Sequence, residues 1–216
     1  MSHYTVLVIS TSGKINVDEQ LGKYSEAIEV PEYTSSIVSE ENKERFLKHY
    51  KEEYNIGDMS FEKAYKEHGN SWNSNTWKLI DNRWVEKSTY NPDSKWDWYQ
   101  MGGRWAGLLP LKENVKRMHE FDYHYSMDDA DKIILDAKQV ADQAYKKDID
   151  FSKIDREDSL TYAILIDGTW TGPGEMGAFG MSDATDKTKE AFNIVFWDQI
   201  DKLSDEALLT VMDLHI

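Results

Sequence analysis

The sequence predicts an α+β fold, with a mixed or antiparallel sheet forming a ferredoxin-like core with insertions and helices on one face. Three observations point there. Apolar, β-rich runs stand at both ends of the 216-residue chain, two tight-turn hairpin signals lie between them, and about three helix-period stripes are scattered among the strands. A single domain over 1–216 is expected, with a Trp-rich subregion at about 70–110.

The first run, His3 to Ser10, is apolar on both faces, as a strand buried inside a sheet must be. Asn16 caps a short helix from Val17 to Tyr24, and Glu29-Val30-Pro31 breaks whatever precedes it. A helix from Val38 or Ser39 to about Tyr54 places Phe46, Leu47, Tyr50 and Tyr54 on one face. Another begins at Ser60, an N-cap residue, and is expected to stop at Gly69. Thr76 to Ile80 and Arg83 to Glu86 flank Asp81-Asn82, which tolerate the left-handed conformations of a tight hairpin. Asp128 caps a helix expected to run to Lys147, its stripe being Ile133, Ile134, Ala137, Val140, Ala141 and Ala144. Leu160 to Ile166 and Thr169-Trp170 flank Asp167-Gly168, a second hairpin turn. Thr185 to Leu203 reads as a helix with Thr188, Phe192, Val195, Phe196, Gln199 and Leu203 on its buried side. Leu208 to Ile216 reads as the closing strand.

Composition narrows the function. Lys plus Arg number 25 against 40 Asp plus Glu, a formal charge of −15. Such a chain repels phosphate overall, which argues against a duplex nucleic-acid binder while leaving room for a local basic pocket. The absence of cysteine excludes disulfides, thiolate catalysis and Cys-ligated metals. Tyr4 to Ile9 lacks the flanks of a signal peptide, and no segment approaches the roughly 20 apolar residues of a membrane span. The expectation is a soluble protein with no membrane partner.

Six of the eight tryptophans fall between Trp72 and Trp105. In the densest part, an extended chain would put Trp96 and Trp98 on one side and Asp97 and Tyr99 on the other. Gly102-Gly103 lets backbone approach a ligand, Arg104 offers a planar cationic fork, and Trp105 a stacking face. Together they suit a base stacked on indole with its phosphate on Arg104. The glycines at 172, 174, 177 and 180 form a candidate second loop over the site, with Glu175 as a polar contact. The plainer alternative is a hydrophobic plug with Arg104 in a buried salt bridge to Asp97.

His3 and His215 lie on the two terminal strands. Asp213 and His215 share a face about 7 Å apart, so adjacent terminal strands would gather His3, Thr5, Asp213 and His215 at one end of the sheet. Two imidazoles beside a phosphodiester, one removing and one donating a proton, suffice for cleavage without a metal, and Arg104 would stabilise the added negative charge. His3, His215 and Asp213 are therefore the candidate catalytic residues. Trp96, Trp98, Tyr99, Arg104, Trp105 and Glu175 are the candidate ligand contacts. No metal or cofactor is expected. His3-Tyr4-Thr5 and His124-Tyr125-Ser126 both fit the loose His-x-Thr/Ser pattern of two-histidine phosphoesterases, but the second lacks that family's flanking apolar strand. His119, Asp122 and His124 have no regular ligand spacing and read as a solvated loop.

Across most of its length the chain resembles a family of small, often bacteriophage-encoded proteins. The block from Trp96-Asp97-Trp98-Tyr99 to Gly102-Gly103-Arg104-Trp105 carries the likeness most specifically. His3-Tyr4, Ala141 to Ala144, Asp148 to Phe151, Gly174 to Gly177 and Asp213-Leu214-His215-Ile216 add to it. Similar proteins have Cys where this one has Leu214. The resemblance implies a phage setting and no mechanism. In that setting the expected role is counter-defence in the host cytoplasm. The protein would bind, and as a metal-independent phosphodiesterase hydrolyse, a nucleotide-derived signal such as a cyclic nucleotide. A homo-oligomer is an accompanying expectation. The alternatives are a sponge for that signal, or an acidic inhibitor that mimics nucleic acid towards a host protein.

Overall fold

A computed structural model describes all residues except Met1, Ile15, Asn55, Ile56, Asn75 and 178–180, and of Tyr54 only the backbone. Tyr54 in the predicted stripe and Gly180 in the glycine-rich loop thus fall outside what is described. The fold is α+β with one mixed and further antiparallel sheets. The chain divides into two compact units, Met1–Ala27 with Pro92–Ile216, and Ile28–Asn91.

The larger unit opens with β1 (His3–Ser10) and α1 (Val17–Gly22), whose Asn16 cap accepts from the Glu19 N–H. The smaller unit follows, with β2 (Glu29–Ile37), α2 (Glu40–Tyr54), α3 (Phe61–Asn73), β3 (Trp77–Ile80) and β4 (Arg83–Tyr90). The chain then resumes the larger unit through β5 (Trp98–Met101), β6 (Leu109–Pro110), α4 (Asp129–Asp136), β7 (Val140–Ala141) and β8 (Gln143–Tyr145). It closes with β9 (Ala163–Ile166), β10 (Thr169–Thr171), α5 (Asp186–Lys202) and β11 (Leu208–His215).

The main sheet runs β10-β9-β1-β11, and the far edge of β11 is shared by β5 and β8. The first and last strands are antiparallel neighbours with His3 opposite His215 and Thr5 opposite Asp213, while β9 lies parallel to β1. Alternation then sorts the side chains. Leu7, Ile9, Leu209 and Val211 meet Phe192, Phe196, Trp197 and Ile200 of α5, and Tyr4, Val6, Val8, Met212 and Leu214 meet Leu21 of α1 on the other face. Each fully buried aliphatic or aromatic side chain contributes about 1.5–3 kcal/mol, so this two-sided core anchors the end of the sheet that carries the histidines. Thr185 begins α5 with a capping box to Thr188. Val195 is exposed, and Trp197 and Ile200 take the buried places instead.

In the smaller unit β4 lies between β2 and β3. Phe46 and Tyr50 of α2 pack with Ala64 and Tyr65 of α3 and with Trp77 of β3. Asp81 and Asn82 adopt φ of 48° and 60° in the hairpin turn, as their tolerance of left-handed backbone predicts. Pro31 starts no break: it sits in β2, an edge strand, where a missing N–H leaves no ladder bond unmade. Nor does α3 stop at Gly69, which is buried within it; the helix runs four residues further to Asn73 and is ended by Ser74, left-handed at φ 54°.

The largest correction concerns 128–147. Only Asp129–Asp136 is α-helical; β7 and β8 follow, and Lys146–Asp148 forms a single 3-10 turn. Pairing with β11 and β6 outweighs local helix propensity there, because it buries Ala141 and Ala144 in the α5-side core. Ile133 and Ile134 of the supposed stripe are left exposed. No helix among the described residues is long and apolar enough to cross a membrane.

Candidate functional site

The residues on the α5-facing side of β1 and β11 change character along the strands. Leu7, Ile9, Leu209 and Val211 are apolar, whereas His3, Thr5, Asp213 and His215 follow beyond the cover of α5. Trp98 pairs with His215 across the β11–β5 ladder, which places its ring on the same side. The chain then turns at Gly102-Gly103, and a later segment runs beside it, with Gly103 bridged to Tyr123 and the Gly103 N–H donating to the Asp122 carbonyl. That bridge delivers His124.

Three rings converge around His3: His215 at 5.1 Å, His124 at 5.5 Å and Trp98 at 6.1 Å between centroids, all edge-on. His3 Nδ1 lies 2.7 Å from Asp213 Oδ1, and Asp213 Oδ2 accepts the Arg104 main-chain N–H at 3.0 Å. One fully buried carboxylate therefore fixes both the His3 ring and the start of the Arg104 side chain. His215 Nδ1 lies 2.5 Å from Asp97 Oδ1, while its buried Nε2 has no hydrogen-bond partner. The two imidazoles on the terminal strands are thus both oriented by carboxylates through Nδ1, which turns Nε2 outward from each pair.

His124 is 2% exposed. Burial lowers its pKa, helped by the positive charge of Arg104, opposed by Asp213 and helped slightly by the neighbouring His3 ring, and the net effect favours the neutral imidazole. Arg104 Nε–H donates to His124 Nε2 at 3.4 Å. The rim is open: Arg104 is exposed and Trp98 is 45% exposed, whereas the His3 side chain is only 4% exposed and His215 14%.

Gly102 and Gly103 meet carboxylates, not a ligand. A Cβ on Gly102 would stand 2.1 Å from Asp142 Oδ2, and one on Gly103 would stand 2.5 Å from Asp213 Oδ2, with both residues at positive φ. Asp142, which the sequence reading placed inside a helix, is buried; its Oδ1 accepts from the Gly107 N–H at 2.6 Å and its Oδ2 has no partner. Burial raises its pKa from 3.8 to about 6, with Asp122 adding to the rise and the Gly107 hydrogen bond and Arg117 opposing it.

Of the candidates, the fold brings His3, His215, Asp213, Trp98 and Arg104 together. Trp96 and Tyr99 lie across the sheet, edge-on to each other at 4.7 Å and packed against the α1-side core, with Trp96 Nε1 donating to the Leu21 carbonyl and Tyr99 OH to Asp18. The alternation that paired Trp96 with Trp98 fails because the strand begins only at Trp98. Trp105 packs on the α5-side core, and Glu175 is ion-paired to Lys95. Asp97 holds His215 and not Arg104. His119 contacts Gln143, and no three metal-ligating side chains among the described residues are placed to hold an ion. His124, expected in a solvated loop, is instead buried beside His3, because the bridge to Gly103 draws its segment against the sheet; its signal is the repeated His-Tyr-Thr/Ser.

No family model, no curated protein and no solved structure matches the chain.

Proposed function

We propose that this chain binds a nucleotide-derived phosphodiester, of the cyclic-nucleotide signal class used in host defence, and cleaves it without a metal. A phage counter-defence role in the host cytoplasm is part of the same proposal, suggested by the phage setting that the resemblance implies. The observation that supports the reading best is the convergence of two carboxylate-oriented imidazoles, one with an unpartnered Nε2, beside an exposed arginine and an exposed indole. Trp98 offers a stacking face for a base, and Arg104 a bidentate fork for phosphate.

In the proposed reaction one imidazole Nε2 takes the proton of an attacking hydroxyl as its oxygen bonds to phosphorus. The other, as imidazolium, gives its proton to the leaving oxygen as the phosphorus–oxygen bond breaks. Arg104 offsets the negative charge that builds on the equatorial oxygens. His3, through its bond to Asp213, and His215, through Asp97, supply the pair.

The shallow exposure of His3 favours a second reading, a sponge that binds the same ligand without turning it over. A thermal-shift screen against linear and cyclic nucleotides tests binding for both. A ligand at 100 times its Kd adds about 2.7 kcal/mol, which for a chain of this size raises Tm by roughly 5–11 °C. Arg104→Ala and Trp98→Ala should each cut the shift by about half or more, as a tenfold weaker Kd requires. No shift with any nucleotide would remove both readings.

A further inference from the structure

Building on the phosphate-binding reading of the site, we propose that His124 is a positioning residue: it holds the Arg104 guanidinium in place, and Ser126 sets the tautomer that lets it do so. Arg104 is exposed, and among the described residues no carboxylate forms an ion pair with it. Its main-chain N–H is fixed by Asp213, but its long side chain has one described anchor, the Nε–H bond to His124 Nε2. Anchoring at Nε leaves the Nη edge free as a fork, the geometry that suits two oxygens of one phosphate.

The anchor works only in one protonation state. A neutral imidazole carries a single proton, so Nε2 can accept from Arg104 only if that proton is on Nδ1. There it faces the Ser126 hydroxyl at 2.5 Å, which can accept it, a hydroxyl being able to accept or donate; the Ser126 main-chain N–H, at 3.2 Å, can only donate to Nδ1 and favours the opposite tautomer. In the proposed arrangement the hydroxyl, the closer of the two contacts, outweighs the main-chain donor by accepting the Nδ1 proton. Burial of His124 and the charge of Arg104 keep the ring neutral, and Tyr125, with its ring centroid 4.2 Å away, covers it from the solvent side. Asp213 and His3 are the remaining charged or titratable groups facing it. The same logic accounts for a feature that no motif explained: the second His-Tyr-Ser holds an arginine, while the first, His3-Tyr4-Thr5, uses its hydroxyl to accept the Tyr162 N–H.

The test has two parts. Long-range proton–nitrogen NMR on the full chain reads the His124 tautomer with no ligand present. Protonated Nδ1 with bare Nε2 is expected, shifting towards protonated Nε2 in Ser126→Ala; protonated Nε2 in the wild type would overturn the proposal. Calorimetric titration with cyclic di-AMP as the probe reads the consequence. His124→Ala should weaken binding about tenfold, the scale of one charge-assisted hydrogen bond. His124→Gln, whose side-chain carbonyl replaces the Nε2 acceptor, should restore most of it. On an Arg104→Ala background, His124→Ala should add nothing. An undiminished effect on that background would overturn the proposal, since His124 would then act without Arg104. Should His124→Ala fail to fold, Ser126→Ala and His124→Gln carry the same comparison. Failure of the wild type to bind the probe or any nucleotide of the thermal-shift screen, with protonated Nδ1 observed, would sink the phosphate reading and leave the His124–Arg104 anchor standing.

Discussion

Asp142→Asn tests the electrostatics beneath the site. Asp142 is buried behind Gly102, with one oxygen satisfied by the Gly107 N–H and the other without a partner. Its pKa, raised from 3.8 to about 6, means that the folded protein binds this proton more tightly than the unfolded chain does. The corresponding stabilisation is complete below about pH 4, declines as pH rises, and is gone above about pH 6. At 1.36 kcal/mol per pH unit, a rise from 3.8 to about 6 amounts to about 3 kcal/mol. Asparagine keeps the acceptor for Gly107 and removes the titration, at a cost of about 1–3 kcal/mol for a buried amide nitrogen without an acceptor. That cost is independent of pH, so the difference between the two proteins isolates the carboxyl. Urea unfolding of both at pH 4, 5, 6, 7 and 8 should show the variant gaining about 3 kcal/mol on the wild type between the ends of the series, most of it below pH 6. A constant difference across the series would refute the reasoning.

Gly103→Ala forces a Cβ to within 2.5 Å of Asp213 Oδ2 at φ 54°, and should cost well over 1 kcal/mol in chemical denaturation, whereas Gly22→Ala, with open space around it, should be neutral or slightly stabilising. Trp98→Ala removes an exposed ring and should leave Tm within about 2 °C of wild type while weakening nucleotide binding by roughly tenfold or more, the scale of one lost base stack. Equal losses of stability and affinity would make Trp98 a packing residue.

Much of the fold was legible because the deciding signals are local. Asn16, Ser60 and Asp128 cap the helices they were expected to cap, Thr185 caps the helix it was expected to begin, and Asp81-Asn82 and Asp167-Gly168 turn both hairpins. Strand alternation alone placed Asp213 with His215, and terminal strands that pair placed both beside His3. What was illegible depends on contacts distant in sequence. Residues 140–145 have a helical stripe, yet β11 and β6 claim them as strands, which hid Asp142. Trp96 lies two residues before the start of β5, so period-two reasoning put its ring on the wrong face. His124 sits in a segment with no periodicity, and only a bridge from Tyr123 to Gly103 brings it to His3.

The central claim is that His3 and His215 act as a proton-transferring pair on a phosphodiester. Chromatographic turnover of cyclic dinucleotides by metal-depleted protein tests it most directly, in the wild type, His3→Ala and His215→Ala, with binding measured alongside. Cleavage by the wild type that falls by at least about a hundredfold in both variants while they still bind is the predicted result. Binding with no cleavage, or cleavage that survives the loss of either histidine, would contradict it.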